Sequence, residues 1–225
     1  MHNKTPNCAR CPYKISDRLC REEDGKSPDS CPTRNMPELL EQSMKEYKNK
    51  PEIREFARQA SIQEADGYIN RDLGYEHVRG SKARIEEVME FSEKMNYQRL
   101  GIAFCIGLRK EATIVEKIFS SRGFDVVSVV CKAGRVPKEH IGVGKDQQIV
   151  PDTTEAMCNP ILQAMILNKE KTDFNVLLGL CVGHDSLFLK YSDALCTVLA
   201  VKDRLLAHNP LAAVYNIDSY YRCLK

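Results

Sequence analysis

A chain of 225 residues has room for one ordinary domain and an appendage, or for two small ones. Its 43% hydrophobic content can build a core, and a net charge of +2 leaves no one-signed footprint of the kind nucleic-acid binders carry. No apolar stretch approaches the ~20 residues that span a bilayer, and the start, MHNKTPNCARCPYK, lacks the apolar centre of a secretory signal. The expectation is a soluble cytoplasmic protein with neither a membrane nor a nucleic acid as partner.

Ten cysteines are the anomaly. Without a secretory signal they point to metal, cluster or catalytic chemistry rather than to disulfides. Residues 1–35 hold four of them, with four prolines, many charges and almost no aliphatic side chains. Such a segment cannot bury a core and needs a staple. Cys8-x2-Cys11-x8-Cys20-x10-Cys31-Pro32 offers four thiolates, enough for a tetrahedral zinc or a 4Fe–4S cluster. Zinc ribbons usually present two close cysteine pairs, and this segment has one. A Cys-x-x-Cys followed by dispersed cysteines and a final Cys-Pro stands nearer to ferredoxin-like ligation, so iron–sulfur leads and zinc is the alternative.

Residues 36–97 read as a helical linker region. MPELLEQSMKEYKN has Leu39, Leu40, Met44 and Tyr47 near helical spacing behind Pro37. A second helix starts at Pro51, with Ile53, Phe56, Ala57, Ala60 and Ala65 on one side. A third, in SKARIEEVMEFSEKMN, turns Ile85, Val88, Met89 and Met95 inward.

From residue 98 to 225 strands and helices alternate. Strands are expected at Leu100–Ile106, Val126–Cys131, Phe174–Cys181 and Leu195–Val201. Helices are expected at Glu111–Arg122, at Pro160–Asn168 with Asn159 as cap, and from about Ser186. Continuous Val/Ile/Leu runs separated by helices predict an α/β fold, a Rossmann-like parallel sheet covered on both faces. In such a sheet the carboxyl ends of the strands share one edge, where ligands bind. Cys105, Cys131 and Cys181 each close a strand, and Cys158 opens a helix, where the dipole lowers a thiol pKa. These four are the expected second site, for a cofactor or for redox or small-molecule chemistry; as isolated core cysteines they would only fill space. Cys196 begins its strand and belongs to the opposite edge.

His184 and Asp185 follow Cys181 at the next helix start. His184 is the candidate acid/base, and Asp185 the expected helix cap. The tail VKDRLLAHNP brings Lys202, Asp203, Arg204, His208 and Asn209 toward the same edge, where salt bridges or caps explain them equally well. The polar connection Ala133–Met157 is long for a compact domain and reads as an insertion or a lid. Its GVGKD lacks the first glycine and the Ser/Thr of a phosphate loop, and no Gly-x-Gly-x-x-Gly follows the first strand.

The cysteine-rich start, together with AFCIGLRKEA, SVVCK, MCNPILQA, FNVLLGLCVGHDSLF and VKDRLLAHNP, resembles a family of prokaryotic proteins labelled only as metal-binding, which carry a domain of unknown function. The resemblance spans nearly the whole chain. It implies metal binding but no reaction, and it marks Cys8, Cys11, Cys20 and Cys31 as well as Cys105, Cys131, Cys158 and Cys181. In that family the third cysteine tends to stand closer to the first pair than Cys20 does here. The implied partners are a redox protein or a small-molecule ligand.

Overall fold

The structure, a computed structural model, describes residues 5–225; the first four residues of the cysteine-rich segment lie outside it. The chain forms two units, Met1–Ile62 and Gln63–Lys225, divided within one helix.

The first unit has little regular structure before α1 (Pro32–Asn35). Single turns at Cys8–Arg10 and Ile15–Asp17 and one bridge between Arg18 and Lys26 organise it. Gly25 makes that crossing possible: a Cβ there would lie 2.4 Å from the Arg18 backbone. Helices α2 (Pro37–Asn49) and α3 (Pro51–Asp66) follow, each opened by proline, whose fixed φ and missing N–H suit a first turn. The expected apolar stripe of α2 exists, but Leu39, Leu40, Met44 and Tyr47 are exposed. Periodicity specifies a face, not its cover.

In the second unit a two-residue hairpin, β1 (Tyr68–Ile69) with β2 (Arg79–Gly80), precedes α4 (Arg84–Lys94). It was too short to leave a sequence signal. The α/β part then runs β3 (Arg99–Phe104), α5 (Arg109–Ser121), β4 (Asp125–Val130), α6 (Pro160–Lys169), β5 (Phe174–Leu180), α7 (His184–Tyr191), β6 (Cys196–Val201) and α8 (Leu211–Tyr215). The expected elements are all present, with boundaries moved by one or two residues. Helix α7 starts two residues early because Gly183, at φ 82°, turns the chain straight into it.

The sheet order is β4-β3-β5-β6, and all its pairs are parallel. Strand β5 is buried along its whole length, as a central strand between covered faces must be. From β3 the chain crosses outward to β4, whereas from β5 it crosses the other way to β6. Right-handed crossovers therefore put α5 on one face and α6 with α7 on the other. The direction of crossing reverses between β3 and β5, the switch point at which open parallel sheets hold their ligand crevice. Ala103, Val129 and Leu177 pack against Ala164, Leu167 and Phe188 on one side, in the same cluster as Cys131. Arg84 closes the open edge by donating to the Val198 carbonyl at 2.7 Å and the Thr197 hydroxyl at 2.8 Å.

Polar side chains interrupt the apolar interior at a few places, one of them in the central strand. Asn175, fully buried in β5, donates to the Ser192 hydroxyl at 2.9 Å and accepts from Thr172 at 2.8 Å. Its carbonyl occupies the space beside Gly101, where a Cβ would come within 2.0 Å of Asn175 Oδ1 and 2.9 Å of Leu167 Cδ1. Gly101→Ala is therefore expected to cost about 1–3 kcal/mol, the usual penalty for overpacking a core. Gly80→Ala meets no atom within 4 Å and stays within about 0.5 kcal/mol. Urea denaturation of the two variants measures the difference.

Candidate functional site

At the C-terminal edge of the sheet, the residue immediately after each strand is a thiol or a cation. These are Cys131 after β4, Cys105 after β3, Cys181 after β5 and Lys202 after β6. Hydrogen bonds continue the ladder past the strand ends and fix three of these positions. The Cys131 amide donates to the Phe104 carbonyl at 2.9 Å, Cys105 to Leu178 at 3.0 Å, and Lys202 to Leu180 at 3.0 Å.

The connection Ala133–Met157 is a closed excursion pinned at its base. Pro137 bridges Ala156, Lys138 pairs with Glu155, and the Met157 amide donates to the Val136 carbonyl at 2.7 Å. The return ends where the Asn159 amide donates to the Cys131 carbonyl at 2.7 Å. That bond sets Cys158 beside Cys131, with their sulfurs 3.7 Å apart. Asn159 then caps α6, accepting from the Leu162 amide at 3.0 Å, as its sequence position predicted.

The thiols differ in charge because their neighbours differ. Cys131 is buried in the core, and its thiol is pushed far up by facing the sulfurs of Cys105 and Cys158 and by burial. It stays protonated, although the Ile106 amide donates to its sulfur at 3.3 Å. Cys105 falls to about 5 through its hydrogen bond with Cys131, aided against burial by the Gly107 amide and Lys202. Cys158 falls to about 4, first through Cys131 and then through hydrogen bonding to His184. His184 in turn is raised above its ordinary value, chiefly by that bond to Cys158. Cys181 moves the other way, with burial raising its thiol against the charge of Arg204, whose Nη2 donates to its sulfur at 3.1 Å. Ionisation is therefore favoured at Cys105 and Cys158 and disfavoured at Cys131 between them, and a histidine faces Cys158.

The structure thus brings Cys105, Cys131, Cys158 and His184 into one contacting group, with Cys181 close enough to sense the charges of Cys105 and Cys158. Cys196, as expected, lies at the other end of its strand, its thiol on Ser192 and the Ala194 carbonyl. Asp185 does not cap α7. It sits in the first turn, and its carboxylate accepts from the Ser186 amide at 2.8 Å. His208 shapes the tail instead of entering the site: its Nδ1 accepts from the Asp203 amide at 3.2 Å. Two contributors went unread in the sequence. Lys132, directly after Cys131, senses both Cys158 and His184. Gln163 is fully buried and donates to the carbonyls of Val129 and Phe104, just before the strand ends that carry Cys131 and Cys105. Its signal was a lone amide within the apolar run of α6.

Backbone geometry also aims the site. Gly179, inside β5, has φ 69°, and the pairing of β5 with β6 shifts register around it. Such a bulge re-aims the residues that follow, here Cys181. A Cβ at Gly179 would lie 2.1 Å from Leu108 Cδ1.

In the first unit one cavity is lined by Cys8, Cys11, Cys20 and Cys31, together with Arg18, Pro28 and their neighbours. Cys11 closes a turn by donating its amide to the Cys8 carbonyl at 3.2 Å. Cys31 precedes α1, and burial opposes its ionisation. The backbone amides of Arg34 and Thr33, the Thr33 hydroxyl and the Arg34 charge nevertheless hold its thiol below the ordinary value. The donor set is four soft thiols in one small concavity, which fits zinc or iron–sulfur ligation. Among the described residues no group of three or more Cys, His, Asp or Glu forms a ready ligand set for a single ion.

The Cys158–His184 contact has a measurable pH signature. Alkylation of Cys158 by iodoacetamide, followed by peptide mass spectrometry, is expected to remain fast down to about pH 5, because its thiol falls to about 4. Loss of a hydrogen bond and a positive charge in His184→Ala raises that thiol, so the inflection moves up in pH. An unmoved inflection would show that the imidazole does not act on Cys158.

Among the described residues no helix is long and apolar enough to cross a membrane. Over residues 31–199 the chain matches the family described as "Protein of unknown function (DUF1847)". It is 44% identical over 184 residues to "Uncharacterized protein MJ0455" of Methanocaldococcus jannaschii, an alignment covering 82% of this chain and 86% of that protein. The family match takes in Cys31 and all four sheet-edge cysteines, with Cys8, Cys11 and Cys20 preceding it. The chain belongs to the DUF1847 family.

Proposed function

We propose that the protein is a thiolate metal-binding protein with two sites. An iron–sulfur centre in the N-terminal segment would be held by Cys8, Cys11, Cys20 and Cys31. A second site at the sheet edge, formed by Cys105, Cys131, Cys158 and Cys181, would carry cofactor-dependent redox or small-molecule chemistry. The observation that carries this reading is the single cavity whose wall includes all four N-terminal cysteines. Cysteines separated by 2, 8 and 10 residues meet around one space in a segment with almost no apolar residues of its own.

At the second site the roles follow from the contacts. Cys105 and Cys158, whose thiols are lowered, are the first able to ligate or attack, and Cys131, whose thiol is raised, would give up its proton only on ligation. His184, on Cys158, is the group that can give or take a proton at that sulfur. A bound cluster or metal would supply electron transfer or Lewis acidity at this edge.

Metal and acid-labile sulfide analysis of protein purified without oxygen tests the proposal. Brown protein with iron and sulfide is expected, and Cys11→Ser should remove the N-terminal share. Because ligation of order 10 kcal/mol must order that segment, the same variant should expose residues before Asn35 to protease while the α/β part stays resistant. Colourless protein holding zinc would mean a zinc-stapled ligand-binding module without catalysis. A segment protected with no metal at all would overturn both. At the sheet edge, Cys105→Ala/Cys181→Ala is expected to lower metal or sulfide content, and Cys196→Ala to leave it unchanged.

A further inference from the structure

Three permanent cations surround the sheet-edge thiols: Lys132 from the end of β4, and Lys202 and Arg204 from the end of β6. Lys202 reaches back across the crevice. Its Nζ lies 3.7 Å from where a Cβ would stand on Gly107 and equally on Gly179, and it bonds to Cys105. The Cys105 sulfur packs on the same face of Gly107, at 3.9 Å. Two glycines, one of them the bulge in β5, thus leave room for an ammonium among the thiols. Arg204 addresses Cys181 through one nitrogen and is otherwise exposed, and Lys132 donates to the Ala156 carbonyl.

No carboxylate among the described residues pairs directly with Lys132, Lys202 or Arg204. The acids nearest in sequence are committed to backbone. Asp203 accepts from the Leu205 and Leu206 amides at 3.0 and 2.7 Å, and Asp185 from Ser186. Cations gathered at a crevice without acid partners focus a positive potential there and concentrate anions. Three such groups at one sheet edge suit a small molecule, since a polyanion chain would need a longer track of charge.

We propose that the sheet edge admits a small anionic molecule to its thiols, with Lys202 and Arg204 receiving the negative charge. The proposal rests on reading the edge as a thiolate site and adds the class of molecule that reaches it. Each sulfur would then meet a substrate or ligand whose charged end is already fixed, which limits its approach to one orientation.

The test compares two alkylating reagents of the same reactive centre, anionic iodoacetate and neutral iodoacetamide. In both, the sulfur forms a bond to carbon as the carbon–iodine bond breaks and iodide leaves. Full-length protein is treated with each at low salt, and every cysteine is quantified by peptide mass spectrometry. Each cysteine in urea-unfolded protein serves as its own reference. At Cys105, Cys158 and Cys181 the iodoacetate-to-iodoacetamide ratio is expected to rise about tenfold on folding. The rise should disappear in Lys202→Gln/Arg204→Gln, persist in Lys202→Arg, and shrink in about 1 M salt, where screening acts over ~3 Å. A ratio unchanged by folding in the wild type overturns the proposal without any variant. So does a preference that survives the double substitution, or complete protection of all three thiols from both reagents. Metal and sulfide content of the same sample reports separately on the metal reading, so failure of one is distinguishable from failure of the other.

Discussion

Everything at the candidate site depends on the parallel alignment of four strands. Parallel pairing sends every strand out at the same edge, and the ladder bonds of Cys131, Cys105 and Lys202 carry that alignment one residue beyond the strands. A residue type placed once per strand is thereby turned into a row across the sheet, with neighbours about 5 Å apart. The chain needs no sequence motif to gather these cysteines. It needs only register, and register is fixed because β5 is buried on both faces.

The same constraint explains which parts of the molecule were legible in advance. The central strands β3 and β5 are continuous apolar runs because both their faces are covered, and the half-buried edge strands β4 and β6 keep enough of that pattern to be read directly, along with the cysteines that follow β3, β4 and β5. The contact between Cys131 and Cys158 could not be read that way. It depends on a 25-residue excursion, Ala133–Met157, returning to its starting point, and the Asn159 amide bond that brings it back leaves no trace in composition. The early start of α7 was hidden for a similar reason: Asp185 is a good cap by type, but the left-handed Gly183 makes a cap unnecessary. Lys202 and Arg204 were visible as residues near the edge but not as partners of Cys105 and Cys181. Side-chain reach across the crevice depends on the bulge at Gly179, which no periodicity announces.

The two cysteine sets solve different physical problems. In the N-terminal segment the thiols substitute for a core: the exposed Cys8 and Cys20 and the half-buried Cys11 and Cys31 line a space that few apolar side chains help to fill. On the proposed reading, ligation of these thiols adds to the turns and the single bridge the ordering that a core would otherwise supply. At the sheet edge the order is reversed, because the scaffold is complete before any ligand arrives. Hydrogen bonds to backbone and side chain fix the thiols, and the neighbours of each shift its ionisation up or down.

That completeness ties the second site to the stability of the fold. Cys131 is only 3% exposed and belongs to the same apolar cluster as Ala103, Leu167, Leu177 and Phe188, with Cys105 and Cys158 packed against it. Gln163, from α6 in that cluster, holds the carbonyls of Phe104 and Val129 just upstream of Cys105 and Cys131. The thiols are thus set by packing as closely as the core residues are, and a change in charge or ligation at Cys131 acts on core and site together. A surface loop could carry four cysteines, but it could not bury one of them so deeply between two others, and it is that burial and contact that push its ionisation the opposite way from theirs.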